Sequence, residues 1–328
     1  MILILSETLD ITTDRVIDWL HSFGYKDVLR INEGTPIYVK HISIGSTKSE
    51  IILCANNRVF NIEEVCFYWY RRGLFSFDIL PSIDLELNSN LDKLLWFHKN
   101  EWYPIRNYII NKFELKPHIG NLHKSISNKI INLEIARACG LKIPQTSISN
   151  YSEILRQQML DSKEYICKPV SEFIDFVDTD YEYSTFTRKL STEELLEPSH
   201  YSSPQLIQEY IDKWIELRVF ILKDKVFSMA IFSQKYQDTS VDFRAGDLDS
   251  QYRVAPFELP DEITQKLLQF MSNAGLDNGS LDLILTNDGE YIFLEVNPIG
   301  IIDMVSKPCN YHIEREIALQ IIQSIDEA

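Results

Sequence analysis

The chain has 328 residues, 45% of them apolar, and a formal net charge of −16 at pH 7. That length supports two or three domains with cores of their own, and the acidic balance argues against bulk binding to nucleic acid or an anionic membrane surface. No stretch approaches the roughly 20 apolar residues of a membrane span. The five cysteines (Cys54, Cys66, Cys139, Cys167 and Cys309) form no Cys-x-x-Cys pair, so free thiols in a cytoplasmic protein are expected. An anion-binding site on such a chain calls for a basic pocket in an acidic shell.

Residues 1–118 alternate short apolar strands with helical spacing, which predicts a small α/β domain. Residues 1–5, Met-Ile-Leu-Ile-Leu, lack the basic flank of a signal peptide and read as the first strand. A helix is expected over 12–23, with Val16, Ile17, Trp19 and Leu20 on its apolar face. Further strands are expected over 37–42, 51–53 and 65–70. The pattern over 84–113 is helical, and Pro104 is expected to interrupt it. Arg71 and Arg72 directly follow the aromatic run Phe67-Tyr68-Trp69-Tyr70. Two readings stand for them: contacts to an acidic ligand, or a solvated turn.

A second region, 119–204, opens after the punctuation of Pro117 and Gly120. Asn128-Lys129 starts an apolar-periodic helix that Gly140 closes as the residue after the cap. Strands follow near 145–149, 164–169 and 184–188. Lys168 ends the short apolar strand Tyr165-Ile166-Cys167. A lysine there either reaches out to solvent or meets a bound phosphate as a point charge.

The third region, 205–328, carries expected strands near 205–210, 215–223 and 225–233, a helix at 261–274, a hairpin and a last helix at 311–325. Gln208-Glu209-Tyr210-Ile211 lets a strand run out into Asp212-Lys213. Backbone groups at such an edge can pair with an adenine, with Glu209 and Tyr210 shaping the pocket; a plain amphipathic strand is the other reading. Glu216 and Arg218 alternate with Leu217 and Val219, so they share one strand face. They are either a surface ion pair, or an acceptor for ribose hydroxyls beside a phosphate clamp.

The hairpin is the strongest phrase. Leu281-Asp282-Leu283-Ile284-Leu285 and Phe293-Leu294-Glu295-Val296-Asn297-Pro298 flank a turn containing Asp288-Gly289. Glu295 and Asn297 are two apart and point to one face, which Asp282 reaches from the neighbouring strand. Three oxygen donors on one sheet face suit Mg²⁺ held against phosphates. Carboxylates ending an edge strand in water are the alternative. Asp242 and Arg244 sit in a polar phrase of the same region. Gly-x-Gly-x-x-Gly, His-Glu-x-x-His and Gly-x-Ser-x-Gly do not occur, and the seven histidines are scattered.

The ordered set Asn128-Lys129, Lys168, Gln208-Glu209-Tyr210-Ile211, Glu216-x-Arg218, Asp282 and Glu295-x-Asn297-Pro298 resembles the ATP-grasp superfamily over nearly the whole chain. The phrases Trp69-Tyr70-Arg71-Arg72, Gly140-Leu141-Lys142-Ile143-Pro144 and Met304-Val305-Ser306-Lys307-Pro308-Cys309-Asn310-Tyr311 are similar to its graspetide (microviridin-type) branch. The last is most similar to maturases of grasp-with-spasm systems, whose clusters also encode a radical SAM protein. The resemblance implies an α/β (α+β) ATP-grasp fold: an N-terminal domain (1–118), a central lid (119–204) and a C-terminal antiparallel-sheet domain (205–328), with ATP between the last two. It implies ATP and Mg²⁺, with Asp282, Glu295 and Asn297 as metal ligands. Lys129, Lys168, Gln208, Glu209, Tyr210, Ile211 and Glu216 fall at nucleotide positions. Arg218, Arg244 and Asp242 fall to catalysis, and Arg71 and Arg72 to substrate.

The implied activity cross-links a precursor peptide, leader plus a core rich in Thr/Ser and Asp/Glu, through an acyl phosphate, giving esters or amides. A homodimer is common in that family. The departure is that residues 170–184, where the family's phosphate-covering loop is often glycine-rich, contain no glycine. Two alternatives remain at this stage: a carboxylate–amine ligase acting on a small molecule or protein terminus, and a non-catalytic, nucleotide-gated peptide-binding module.

Overall fold

The computed structural model describes residues 1–77, 91–151, 153, 155, 157, 163–171, 175–177, 182–184, 187–190, 203–232 and 253–328. Contacts divide the chain into two units, Met1–Ser125 with His312–Ala328, and Ile126–Tyr311.

The first unit runs β1 (Ile2–Ser6), α1 (Ile11–Ser22), β2 (Val28–Asn32), β3 (Tyr38–Ile44), β4 (Ser49–Ala55), β5 (Arg58–Asn61), β6 (Phe67–Tyr70), α2 (Leu91–Glu114) and β7 (His118–Ile119). It closes with the C-terminal helix, Ile313–Asp326. Its main sheet is parallel, in the order β2-β1-β6-β7. Every residue of β1 and β6 is buried, as continuous apolar strands covered on both faces must be. Asp10 caps α1 by accepting from the Thr13 N–H at 2.7 Å. The strands β3, β4 and β5 form a separate antiparallel sheet.

Three sequence expectations change here. The strand β2 went unread because only Leu29 and Ile31 are buried in its five residues. Pro104 does not interrupt α2, which runs through it. The proline is on the exposed side, where water can take the carbonyl whose partner N–H is missing. Buried Ile109, Ile110 and Phe113 anchor the turns beyond it. The C-terminal helix, expected with the third region, groups with the first unit. Its buried Ile313, Ile317, Ala318 and Ile321 pack on α1, β6 and β7.

The second unit runs α3 (Lys129–Ala138), β8 (Thr146–Ser149), β9 (Tyr165–Lys168), β10 (Asp175–Val177), β11 (Glu182–Ser184), β12 (Arg188–Lys189), β13 (Gln205–Glu209), β14 (Lys213–Leu222), β15 (Lys225–Phe232), β16 (Arg253–Pro256), α4 (Asp261–Ala274), β17 (Asn278–Thr286), β18 (Tyr291–Asn297) and α5 (Asp303–Ser306). In place of one strand near 184–188 there are two short ones, β11 and β12, in different sheets. The strand β16 was not expected.

The helix α3 begins where Asn128 accepts from the N–H groups of Ile130 and Ile131. It ends in a Schellman arrangement: Leu141 N–H reaches Ala136 and Gly140 N–H reaches Arg137, with Gly140 at φ +75°. Two larger antiparallel sheets, β12-β9-β13-β8 and β16-β15-β14-β17-β18, build most of the rest, and β10 pairs with β11 alone. One face of the larger sheet carries Ile215, Leu217, Val219, Leu281, Leu283, Phe293 and Val296 against Leu267 and Phe270 of α4. Each such side chain contributes about 1.5–3 kcal/mol through burial. The opposite face carries Glu216, Arg218, Asp282 and Glu295 beside buried apolar residues that include Phe220, Ile231 and Ile284.

Candidate active site

Strand alternation puts Glu216 and Arg218 on the face of β14 away from the core. Register then aligns a row across three strands. Arg218 pairs with Asp282, and Asp282 pairs with Glu295. A bulge follows Asp282, where Leu283 pairs with Phe293. The extra residue lets both Leu294 and Glu295 line the same pocket.

That pocket lies within the second unit, between the two sheets. The smaller sheet contributes Lys168, Gln208 and Glu209, and the larger one Glu216, Asp282 and Glu295. Tyr210, Ile211 and Lys213 supply the connection between β13 and β14, and Lys129 enters from the first turn of α3. Ion pairs tie the charged groups together. Arg218 contacts Asp282, Lys213 contacts Glu216, and Lys129 Nζ lies 3.7 Å from Glu295 and 3.4 Å from the Pro169 carbonyl. Arg218 also lies 4.0 Å from the Met304 sulfur.

The connection has its own supports. Glu209 and Tyr210 donate their N–H groups to the Gln145 and Glu164 carbonyls at 2.9 and 2.8 Å. The Glu209 carboxylate takes Lys163 at 2.6 Å, and Lys189 sits 3.7 Å from the Tyr210 ring centroid. Gln208 is 1% exposed. Its amide donates to Thr146 Oγ1 at 2.9 Å, while its Oε1 has no hydrogen-bond partner among the described residues.

The structure therefore brings together Lys129, Lys168, Gln208, Glu209, Tyr210, Ile211, Glu216, Arg218, Asp282 and Glu295. Asn297 shares the strand but is exposed, and its Oδ1 accepts from the Ile299 N–H at 2.9 Å. Arg71 and Arg72 belong to the first unit. Their Nε atoms lie 3.3 and 3.1 Å from buried Asp10, and Arg72 also meets Glu7 at 3.2 Å. Asp242 and Arg244 lie outside the described residues. Sequence reading missed Lys213, whose side chain is 3% exposed. Its signal was a lysine entering an apolar strand directly after the connection.

The lining is not net basic, contrary to the expectation. Three lysines meet the four carboxylates Glu209, Glu216, Asp282 and Glu295, and Arg218 balances the count. A polyphosphate needs further positive charge here. Asp282 and Glu295, adjacent and about one-fifth exposed (20% and 22%), are a donor pair suited to Mg²⁺. That ion takes one or two carboxylates and completes its shell from phosphates and water. Among the described residues no three His, Cys, Asp or Glu side chains gather in a group that could hold a metal ion. Asn297, expected as the third ligand, is not among the residues that line this pocket, although its Oδ1 keeps a second lone pair.

Residues 185–325 match the RimK-like ATP-grasp domain. No curated protein sequence matches the chain. Among solved structures, a Chryseobacterium gregarium RiPP-associated ATP-grasp ligase, in complex with ADP and a leader and core peptide, aligns at TM-score 0.80 and 23% identity, covering 100% of this chain and 97% of that one. The macrocyclase MdnC from Microcystis aeruginosa MRC, bound with precursor peptide MdnA, aligns at 0.76 and 26%, covering 99% and 100%. The ATP-grasp ligase PsnB, complexed with a phosphomimetic precursor variant, Mg and ADP, aligns at 0.69 and 17%, covering 98% of each. The fold is of the ATP-grasp class. Within that class, its similarity is to ligases and macrocyclases of ribosomally made peptides.

Proposed function

We propose that this ATP-grasp enzyme is a peptide maturase that joins side chains within one ribosomally made precursor peptide. A Glu or Asp carboxylate of the peptide attacks the γ-phosphorus of ATP, and ADP leaves. The resulting acyl phosphate is attacked by a Ser or Thr oxygen, or a Lys nitrogen, of the same peptide. Phosphate leaves, the nucleophile's proton is lost, and an ester or amide remains. The difficulty is electrostatic, because an anion must approach a polyanion.

In this reading Lys168 and Lys129 hold phosphate oxygens as point charges. Arg218 stabilises charge on the transferring group. The segment Glu209 to Ile211 and the open Oε1 of Gln208 receive the base, and Glu216 accepts from the ribose. Asp282, Glu295 and Asn297 would hold Mg²⁺, which supplies charge neutralisation when bound. The chain's own task is positioning.

The observation that carries the proposal is Asp282 opposite Glu295 in one pocket with Lys168 and Lys129. A radical SAM protein of the same pathway and a second copy of the chain are further partners in this reading. The test is to incubate the enzyme, ATP, Mg²⁺ and the short peptide encoded beside its gene. Loss of one water per bond in the peptide mass is expected. Unchanged mass with intact nucleotide binding overturns the reading.

A further inference from the structure

The first unit holds an open groove of about 800 Å³ that the nucleotide site does not use. One wall is a single face of α2, where Leu95, His98, Lys99, Trp102 and Arg106 recur at helical spacing. The facing wall runs from Glu33 to Pro36 and from Leu74 to Phe77. The floor is aromatic: Phe77 stacks on Trp102 at 4.5 Å and meets Phe75 edge-on at 5.6 Å.

The rim is basic on an acidic chain. Glu33 is the one carboxylate among the described lining residues, against Lys99 and Arg106. Arg106 is the decisive group. Its Nε is inaccessible to solvent and has no hydrogen-bond partner. Its guanidinium lies 5.7 Å from the Tyr103 ring centroid, and no carboxylate among the described residues pairs with it. A guanidinium fork fits a carboxylate with two parallel hydrogen bonds.

We propose that this groove docks an acidic peptide segment, placing a carboxylate on Arg106 and a neighbouring apolar side chain on Trp102 and Phe77. The inference rests on the peptide-maturase reading, and the occupant is a part of that substrate not undergoing reaction. An extended segment suits a slot walled by one helix and one loop. The volume lies within the range of sites for a few side chains, whereas a stable dimer needs about 800 Å² from each partner. Charge selects the class: the chain as a whole repels acidic peptides, and this rim attracts them.

The test is fluorescence anisotropy on the full chain with two labelled synthetic peptides. One alternates glutamate with leucine and phenylalanine; the other has lysine for each glutamate. The acidic peptide should bind more weakly as salt rises, and the lysine peptide should not bind. Arg106→Gln should weaken binding about tenfold, and Arg106→Lys by less. Trp102→Ala should also weaken it, with circular dichroism confirming the fold. Equal binding by wild type and Arg106→Gln, or by both peptides, overturns the proposal. So does a dimer in sedimentation that Arg106→Gln dissociates without any peptide binding, because a second copy would then fill the groove. Anisotropy needs no turnover, so failure of the water-loss assay alone counts against the maturase reading and not against the groove.

Discussion

Asp282 faces Glu295 across the β17–β18 ladder, and on its other side Asp282 faces Arg218 of β14. Two acids and a guanidinium thus occupy consecutive places in one row on the sheet face away from the core. Alternation alone puts them on that face, and pairing register makes them neighbours. Slipping β17 by one residue would send Asp282 into the packed face with Leu281 and Leu283.

Replacing Asp282 with Asn, or Glu295 with Gln, keeps shape and removes a donor charge. Either change is expected to lower Mg-dependent ATP turnover about 10²–10³-fold, the scale for losing one electrostatic stabiliser. Thermal stability should move little, because both side chains are partly exposed and the replacements are isosteric. Phosphate release titrated with Mg²⁺, beside a melting curve, checks both parts. Turnover within a factor of two of wild type would remove these residues from the metal site.

Asp10 gives a contrasting case. It caps α1 and shares its carboxylate between Arg71 and Arg72, and its side chain is 4% exposed. Asp10→Ala takes that carboxylate from two guanidinium groups and a helix cap together. A loss of about 3–5 kcal/mol is expected, the scale for breaking a buried ion pair. The urea midpoint reports it. Retained stability would show that Arg71 and Arg72 do not depend on this contact.

How far the sequence could be read divides along the same line. The hairpin, the Glu216 and Arg218 face, Lys168 at its strand end and the Asn128 and Gly140 caps all follow from local spacing. Each is decided by residues within a few positions of one another. What was missed depends on distant partners. Nothing near Arg71 announces Asp10, and nothing near residue 313 announces that the last helix covers α1. The bulge that turns Leu294 into the pocket comes from register against β17. Pro104 is misleading locally because the packing of Ile109, Ile110 and Phe113 outweighs one missing hydrogen bond.

Gly300 follows Asn297 in the loop that leaves the hairpin. A Cβ there would overlap Ser280 Oγ and Cβ and lie 3.2 Å from the Asn297 carbonyl oxygen. Gly300→Ala is therefore expected to destabilise by about 1–3 kcal/mol through overpacking and to displace Asn297 from its turn. Ser280→Gly should relieve most of that loss in the double variant, as contacting residues couple. Equal and additive melting shifts would show that the close approach is not what requires glycine.

Tyr68 predicts an alkaline limit to stability. Its ring is stacked on Phe113 at 5.4 Å, and its hydroxyl is buried with no hydrogen-bond partner among the described residues. Burial pushes its pKa well above the usual tyrosine value, and the nearby Glu114 and Tyr70 push it the same way. Above about pH 10 the unfolded chain loses this proton while the folded chain keeps it. The folded state then holds more protons, so unfolding becomes easier as pH rises. The contribution is fully present below the unfolded value and is lost progressively above it. Tyr68→Phe removes both the ionisable group and the unmet hydroxyl. Urea midpoints should rise by the equivalent of about 1 kcal/mol at neutral pH, and the gap over wild type should widen towards about pH 11. A constant gap across that range would mean that the hydroxyl ionises as readily in the folded chain as in the unfolded one, and a lower midpoint at neutral pH would mean that it has a hydrogen-bond partner.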